Sequence, residues 1–166
     1  MAEKPAEQNP AFIHQESILN AISVGTVFIL LGVVYVLALP TSLWDRLVGF
    51  FGSFTTRQFP GTGISLPIPV NPSNHVVFYN ALFQFCLGIG LLQILVLALR
   101  FMWRSPVSRT AETAGNLVFW LGASFMVATF LNASTTTSMW FAFWGAMLLI
   151  IGFSLIARAA VILLKR

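Results

Sequence analysis

The chain has 166 residues, enough for one domain, and its composition is 57% hydrophobic but only 8% charged. About a quarter of the residues of a typical soluble domain are charged, so this chain has too few polar residues to cover a water-soluble fold. The net charge of +4 comes from basic residues at the ends of apolar runs. Such residues orient a membrane protein and indicate no nucleic-acid partner. We therefore predict an integral membrane protein whose main partner is the lipid bilayer.

Three long stretches carry no Asp, Glu, Lys or Arg: residues 17–44, 58–99 and 113–157. A bilayer crossing needs about 20 mostly apolar residues, and the third stretch has room for two of them. The predicted fold is an all-α membrane protein, a four-transmembrane-helix bundle that forms a single domain over residues 1–166. Its spans are predicted at about residues 18–39, 76–99, 113–131 and 139–157, with a long outer loop at 40–75.

The basic residues are distributed unequally between the two sides of this four-span arrangement. Two of them, Arg46 and Arg57, lie in the long loop. The opposite side carries Lys4, Arg100, Arg104, Arg109, Arg158, Lys165 and Arg166. Because cytoplasmic loops carry the excess of Lys and Arg, both termini are predicted to be cytoplasmic, and the cell membrane is the expected location.

The long loop begins with a pattern typical of an amphipathic helix that lies in the membrane interface. Apolar residues at helical spacing form one face, with Asp45 and Arg46 opposite. The predicted interfacial helix uses Leu43, Trp44, Leu47, Val48, Phe51 and Phe54, with Phe50 on the same face. Residues 58–72 alternate prolines with apolar residues, which favours an extended or polyproline conformation. Any recognition surface is expected within residues 41–75.

Each predicted span has two small residues seven positions apart, on one helical face. Lipid supplies no hydrophobic drive between helices, so close backbone approach along such faces is expected to hold the spans together as a left-handed bundle. The predicted helix-packing residues are Gly25, Gly32, Ala81, Gly88, Gly115, Gly122, Gly145 and Gly152.

The main polar cluster inside a span consists of Asn80 and Gln84, four residues apart on one face of the second span. These amides could form a polar interior face that lines a small cavity, or they could hydrogen-bond a neighbouring helix. Gln93 lies on the opposite face of the same helix, where it would serve a different contact.

The sequence supplies no convincing set of catalytic or metal-binding residues. His14 and His75 are predicted on opposite sides of the membrane and cannot share a metal or haem, and Cys86 is the only cysteine. A Ser-His-Asp arrangement would have to combine His75 with Asp45 and a loop serine, Ser53 or Ser73. We predict no enzyme activity and no cofactor.

Two functions fit these features. The first is a non-catalytic accessory or scaffold subunit that packs against other membrane protein subunits or against itself, because the spans lack the central ionisable groups that pumps and transporters need. The alternative is a carrier or channel for a neutral or lipid-like solute that uses the Asn80 and Gln84 face.

Overall fold

The structure, a computed structural model, describes residues 10–38, 42–59, 61–103 and 105–164, with side chains from residue 17 onward. It is mostly helical. The elements are α1 (Pro10–Leu37), α2 (Leu43–Gly52), β1 (Phe54–Gln58), β2 (Ser65–Pro69), a 3₁₀ turn (Pro72–His75), α3 (Val76–Met102), α4 (Val107–Phe130) and α5 (Thr137–Leu164).

Four helices are long and apolar enough to cross a membrane, as the sequence predicted. The apolar stretches run over Ser17–Leu37, Pro72–Met102, Val107–Phe130 and Thr137–Leu164. The predicted end of the first span at residues 39 and 40 lies outside the described residues. The helices are longer than the predicted spans because backbone hydrogen bonding continues into polar flanks that a hydropathy limit excludes.

The long helices pack in a row rather than equally around a centre. Helix α4 packs extensively on both α3 and α5, whereas α1 makes its main contact with α3 alone and packs less closely there. From Ser17 onward most side chains of α1 are exposed, and Leu19 and Val34 are the buried apolar residues of that part. Closure of this row into a four-helix bundle remains a prediction.

Helix α2 is short and presents two apolar stripes on adjacent sides. Ser42 caps its N-terminus, and the Ser42 side chain accepts a hydrogen bond from the Asp45 backbone N–H at 3.3 Å. The stripe that includes Phe50 is turned toward α3, on which α2 packs. A second stripe is exposed and consists of Trp44, Val48 and Phe51.

Phe54, which the helical spacing assigned to this helix, is instead the first residue of β1. Helix α2 ends at Gly52, and the backbone N–H of Ser53 bonds back to the Phe50 carbonyl at 3.2 Å. Phe54 was assigned to the helix because the spacing of apolar residues indicates only the side to which a side chain points. A strand that leaves a helix end can point its first side chain to the same side.

The proline-rich segment pairs with β1 as an antiparallel hairpin, in which Thr56 faces Pro67 and Phe54 faces Pro69. Flanking bonds join Phe59 N–H to the Ile64 carbonyl at 2.8 Å and Val70 N–H to the Ser53 carbonyl at 2.9 Å. In an antiparallel ladder, hydrogen-bonded pairs alternate with non-hydrogen-bonded pairs. Both prolines therefore occupy non-hydrogen-bonded positions, where a missing N–H costs the ladder nothing.

This register predicts opposite outcomes for proline at neighbouring positions. Leu66 faces Arg57 at a hydrogen-bonded position, so Leu66→Pro removes a ladder bond and should unravel the hairpin. Pro67→Ala should leave the ladder intact. Amide hydrogen exchange of Arg57 is the measurement, with faster exchange expected for Leu66→Pro only. Equal exchange in the two variants would contradict the register.

Candidate functional site

A buried hydrophobic cluster lies at the end of the molecule that carries α2, the two strands and the 3₁₀ turn, which we call the hairpin end. Its core draws side chains from α2, β2, α3, the end of α4 and the start of α5. The buried members are Phe50, Ile68, Tyr79, Val127, Leu131, Trp140, Phe141 and Phe143. Segments 73 residues apart in the chain meet here, so no local sequence pattern reports the cluster.

Trp140 is the member that ties the hairpin to the long helices. It is only 3% exposed, and its Nε1–H donates to the Pro67 carbonyl at 3.3 Å. That carbonyl belongs to a non-hydrogen-bonded residue of β2, so it points away from β1 and is available to α5. The rings of Phe54 and Phe50 lie 6.1 and 6.0 Å from the Trp140 ring, between centroids. One indole thus joins the hairpin, α2 and α5.

Two cavities lie on either side of this tryptophan. The larger has a volume of about 430 Å³ and lies between the hairpin and α5. Phe59 forms one wall, and its ring contacts that of Phe141 edge to face at 5.1 Å. The remaining lining residues are Phe54, Leu66, Pro67, Trp140, Trp144, Gly145 and Leu148. The lining is almost wholly apolar, so this cavity suits a hydrocarbon and not a polar solute.

The smaller cavity has a volume of about 290 Å³ and lies between α2 and the helices α3 and α5. It shares Phe54, Trp140 and Trp144 with the larger one. Tyr79 also lines it, and the Tyr79 hydroxyl is buried without a hydrogen-bond partner among the described residues. Buried phenols usually find a partner, so a water molecule or a ligand oxygen would complete the bonding of this group.

Ser53 and His75, two members of the catalytic arrangement considered from the sequence, lie in contact. Ser53 Oγ and His75 Nε2 are 3.1 Å apart, and the Ser53 hydroxyl also lies 2.8 Å from the Phe50 carbonyl. A hydroxyl has one proton, so when the carbonyl accepts it, the histidine N–H must donate to the serine oxygen. In that arrangement the histidine does not act as a base toward the serine. The pair connects the end of α2 to the start of α3.

Asp45, the third member, makes no hydrogen bond or ion pair with His75 among the residues that the structure describes. Its backbone N–H serves the N-terminal cap of α2, at the opposite end of that helix from Ser53. A triad needs its carboxylate beside the imidazole, and this arrangement does not provide one. Ser73, the other serine considered, lies in the 3₁₀ turn.

Asn80 and Gln84 lie on the exposed side of α3. No hydrogen bond joins either amide to another residue in the described part of the chain, and neither residue lines the two cavities above. The same side continues with exposed Leu91 and Leu95. The structure therefore brings the two amides together on an outward face. Gln93 is half-buried.

The predicted packing residues fall into two groups when a Cβ atom is placed on each glycine. At Gly88 the new atom would lie 2.6 Å from Leu30, at Gly115 3.1 Å from the Ser154 carbonyl, and at Gly122 2.7 Å from Ile150. These positions are close helix contacts, and Ala81 is buried as well. The other four would meet no atom of the described residues within 4 Å outside the backbone of their own helix: Gly25, Gly32, Gly145 and Gly152.

Gly90 is a close contact that the seven-residue pattern missed. A Cβ there would overlap the Leu121 side chain and lie 3.3 Å from the Leu121 backbone nitrogen. Gly90 follows Gly88 by two residues and so points to another side of α3, toward α4 rather than α1. The sequence indicated this contact only by the glycine itself, since no pair of small residues seven positions apart was assigned to it.

Comparison of the chain with protein-family models, with curated proteins and with solved structures finds no match.

Proposed function

We propose that this protein is a non-catalytic accessory or scaffold subunit that packs against another membrane protein, or against a second copy of itself, through the exposed face of α3. The observation that supports this most directly is the position of Asn80 and Gln84 on that face. In the proposed orientation both termini are cytoplasmic, the hairpin end is outside, and the protein resides in the cell membrane.

The depth of these amides in the bilayer indicates that they need a polar partner. Gln84 lies eight residues beyond Val76, the first residue of α3, which is about 12 Å along the helix axis. An amide that faces lipid at this depth has no water to bond, and its desolvation is unfavourable. A neighbouring helix that presents a polar partner would remove this penalty, with measured contributions of about 0.6 kcal/mol per bond and up to about 1.7 kcal/mol.

Helix α1 supports the same proposal. Its contact with α3 is less extensive than those among α3, α4 and α5, and a Cβ added to Gly25 or Gly32 would meet no atom of the described residues within 4 Å outside the backbone of its own helix. Small residues allow another helix backbone to approach closely in lipid. The Gly25 and Gly32 face of α1 is therefore a second surface, separate from the Asn80 and Gln84 face of α3, at which another helix could pack closely.

The test is the mass of the native particle after gentle detergent extraction. We expect the wild-type chain in a species larger than its own 18.3 kDa, and the double variant Asn80→Leu with Gln84→Leu at the mass of the monomer. The matched control is Asn116→Leu, which replaces an exposed amide on α4. All three proteins should unfold alike, because exposed residues contribute little to the fold.

Two results would contradict the accessory role. One is a wild-type protein that is strictly monomeric and copurifies with nothing. The other is a double variant that assembles as well as the wild type does.

The alternative function is a carrier or channel for a neutral or lipid-like solute. It needs a polar passage, and Asn80 and Gln84 were the residues proposed to line it. We place this function second because both amides lie on the exposed side of α3, away from the two cavities. Uptake of a neutral solute into protein-containing liposomes, lost in the double variant, would reverse this order.

A further inference from the structure

The larger cavity at the hairpin end has a shape and a position that suit one kind of occupant. We propose that it binds one acyl chain of a membrane phospholipid, whose headgroup stays at the level of the hairpin while the chain runs down the side of α5. This inference is independent of the accessory role, which depends on α3.

The walls favour hydrocarbon over any polar molecule. The lining combines the aliphatic side chains of Leu66 on β2 and Leu148 on α5 with several aromatic rings. One polar pair at the wall is already bonded internally, because the Trp140 indole N–H donates to the Pro67 carbonyl. A hydrocarbon chain needs no hydrogen bond and gains dispersion contacts with the rings.

The depth matches one leaflet of a bilayer. Trp140 and Leu148, both in the lining, are eight residues apart on α5, which is about 12 Å along the axis. Half of the hydrocarbon core is about 15 Å thick. Because exposed tryptophans concentrate where headgroups meet hydrocarbon, the exposed Trp144 places the upper part of the cavity near the depth where a lipid chain begins.

An acyl chain gains free energy by filling the upper part of the cavity, near the headgroups. At headgroup depth water competes for the space, yet a water molecule needs two to four polar partners, and these walls are almost wholly apolar. An apolar chain removes the aromatic surface from water there, which the hydrophobic effect favours. Deeper in the bilayer that gain disappears, since lipid is as apolar as the protein surface.

Gly145 leaves space in the cavity for the acyl chain of the lipid. It lies in the lining, and a Cβ placed on it would meet nothing within 4 Å. Gly152, one heptad later on the same helix, is equally unobstructed but does not line the cavity. Gly145→Leu should therefore fill the cavity without straining the fold, and Gly152→Leu is its matched control.

The experiment uses the full chain in phosphatidylcholine nanodiscs that contain a phosphatidylcholine with a diazirine in one acyl chain. After irradiation, adducts are mapped by peptide mass spectrometry. Phe28 on α1 is 69% exposed and reports ordinary contact with surrounding lipid. For the wild type, we expect adducts at Phe141 and Leu148 to exceed those at Phe28.

In Gly145→Leu the excess of adducts at Phe141 and Leu148 over those at Phe28 should fall at least about tenfold. A tenfold weaker binding corresponds to the loss of roughly two buried methylene groups of the acyl chain. In Gly152→Leu the excess should be unchanged. Leu148→Trp, at an exposed lining residue, provides a second filling variant if Gly145→Leu folds poorly. Lipid release in native mass spectrometry should follow the same order, with one lipid retained per wild-type chain.

Three outcomes would overturn the proposal. The first is wild-type labelling at Leu148 no greater than at Phe28, which means surrounding lipid only. The second is an excess that survives both filling variants. The third is a protein partner crosslinked at these residues in place of lipid, which means that another chain fills the cavity.

Discussion

Trp140→Ala is expected to lower the free energy of unfolding by about 3–5 kcal/mol, the range found when large buried aromatic residues are removed from cores. Trp140 is 3% exposed, and it is the residue at which the hairpin, α2 and α5 meet. Its removal would join the two cavities that it separates and would leave the Pro67 carbonyl without its donor. Unfolding in mixed micelles, followed by circular dichroism, measures the change.

A local measurement separates loss of the hairpin from general instability. Arg57 is exposed in β1, and trypsin cleaves after it only when the strand opens. Cleavage should therefore be faster in Trp140→Ala under conditions where the helices remain folded. Trp140→Phe keeps a ring but loses the N–H, so it should cost roughly 1 kcal/mol for the hydrogen bond in addition to a smaller packing loss.

The control for this prediction is Trp144→Ala, one turn further along α5. Trp144 is the same residue type but is 54% exposed. Its replacement should destabilise the protein much less and should leave the cleavage rate after Arg57 close to that of the wild type. Equal effects of the two alanine variants would mean that the hairpin is not held by Trp140.

Gly90→Leu is expected to destabilise the protein by about 1–3 kcal/mol, the usual cost of overpacking a tight interface. A Cβ on Gly90 would overlap the Leu121 side chain, and the Leu121 backbone nitrogen lies 3.3 Å away. A side chain can turn aside, but a backbone atom moves only if α3 and α4 separate. Alkylation of Cys86, which is buried on α3, should therefore become faster.

Gly32→Leu and Gly152→Leu are the controls, because neither position has an atom within 4 Å of an added Cβ. Both should keep the wild-type unfolding midpoint and the wild-type rate of Cys86 alkylation. Leucine is in fact the better helix former, by somewhat less than about 1 kcal/mol. If Gly32→Leu is as damaging as Gly90→Leu, the glycine of α1 is packed within the protein, as the seven-residue pattern predicted.

The glycine pattern illustrates how far sequence periodicity reaches. A seven-residue interval correctly places two residues on one side of a helix. It does not state which side meets a neighbour, and the main packing of α1 and of α5 is in each case against a single helix. The glycines on the remaining sides, such as Gly25 and Gly145, are consequently open.

The hairpin illustrates a different limit. Prolines at 67 and 69 correctly indicate an extended segment, but a strand is defined by its partner, and the partner is chosen by register. Only the alternation of hydrogen-bonded pairs makes both prolines acceptable in a strand. The contact between Ser53 and His75 was likewise one of several arrangements that the loop permitted.

What the sequence by itself determined is that the chain forms helices long and apolar enough to cross a bilayer, and how many of them there are. Both follow from one-dimensional quantities: the length of uncharged apolar stretches, and the requirement that backbone groups in lipid bond within their own segment. The tertiary structure alone decided which sides of the helices are covered, that Asn80 and Gln84 lie on an exposed face, and that Trp140 separates two apolar cavities. The physical reason is that lipid is as apolar as the helix surfaces, so hydropathy carries no information about which apolar side meets protein, and close packing makes that choice.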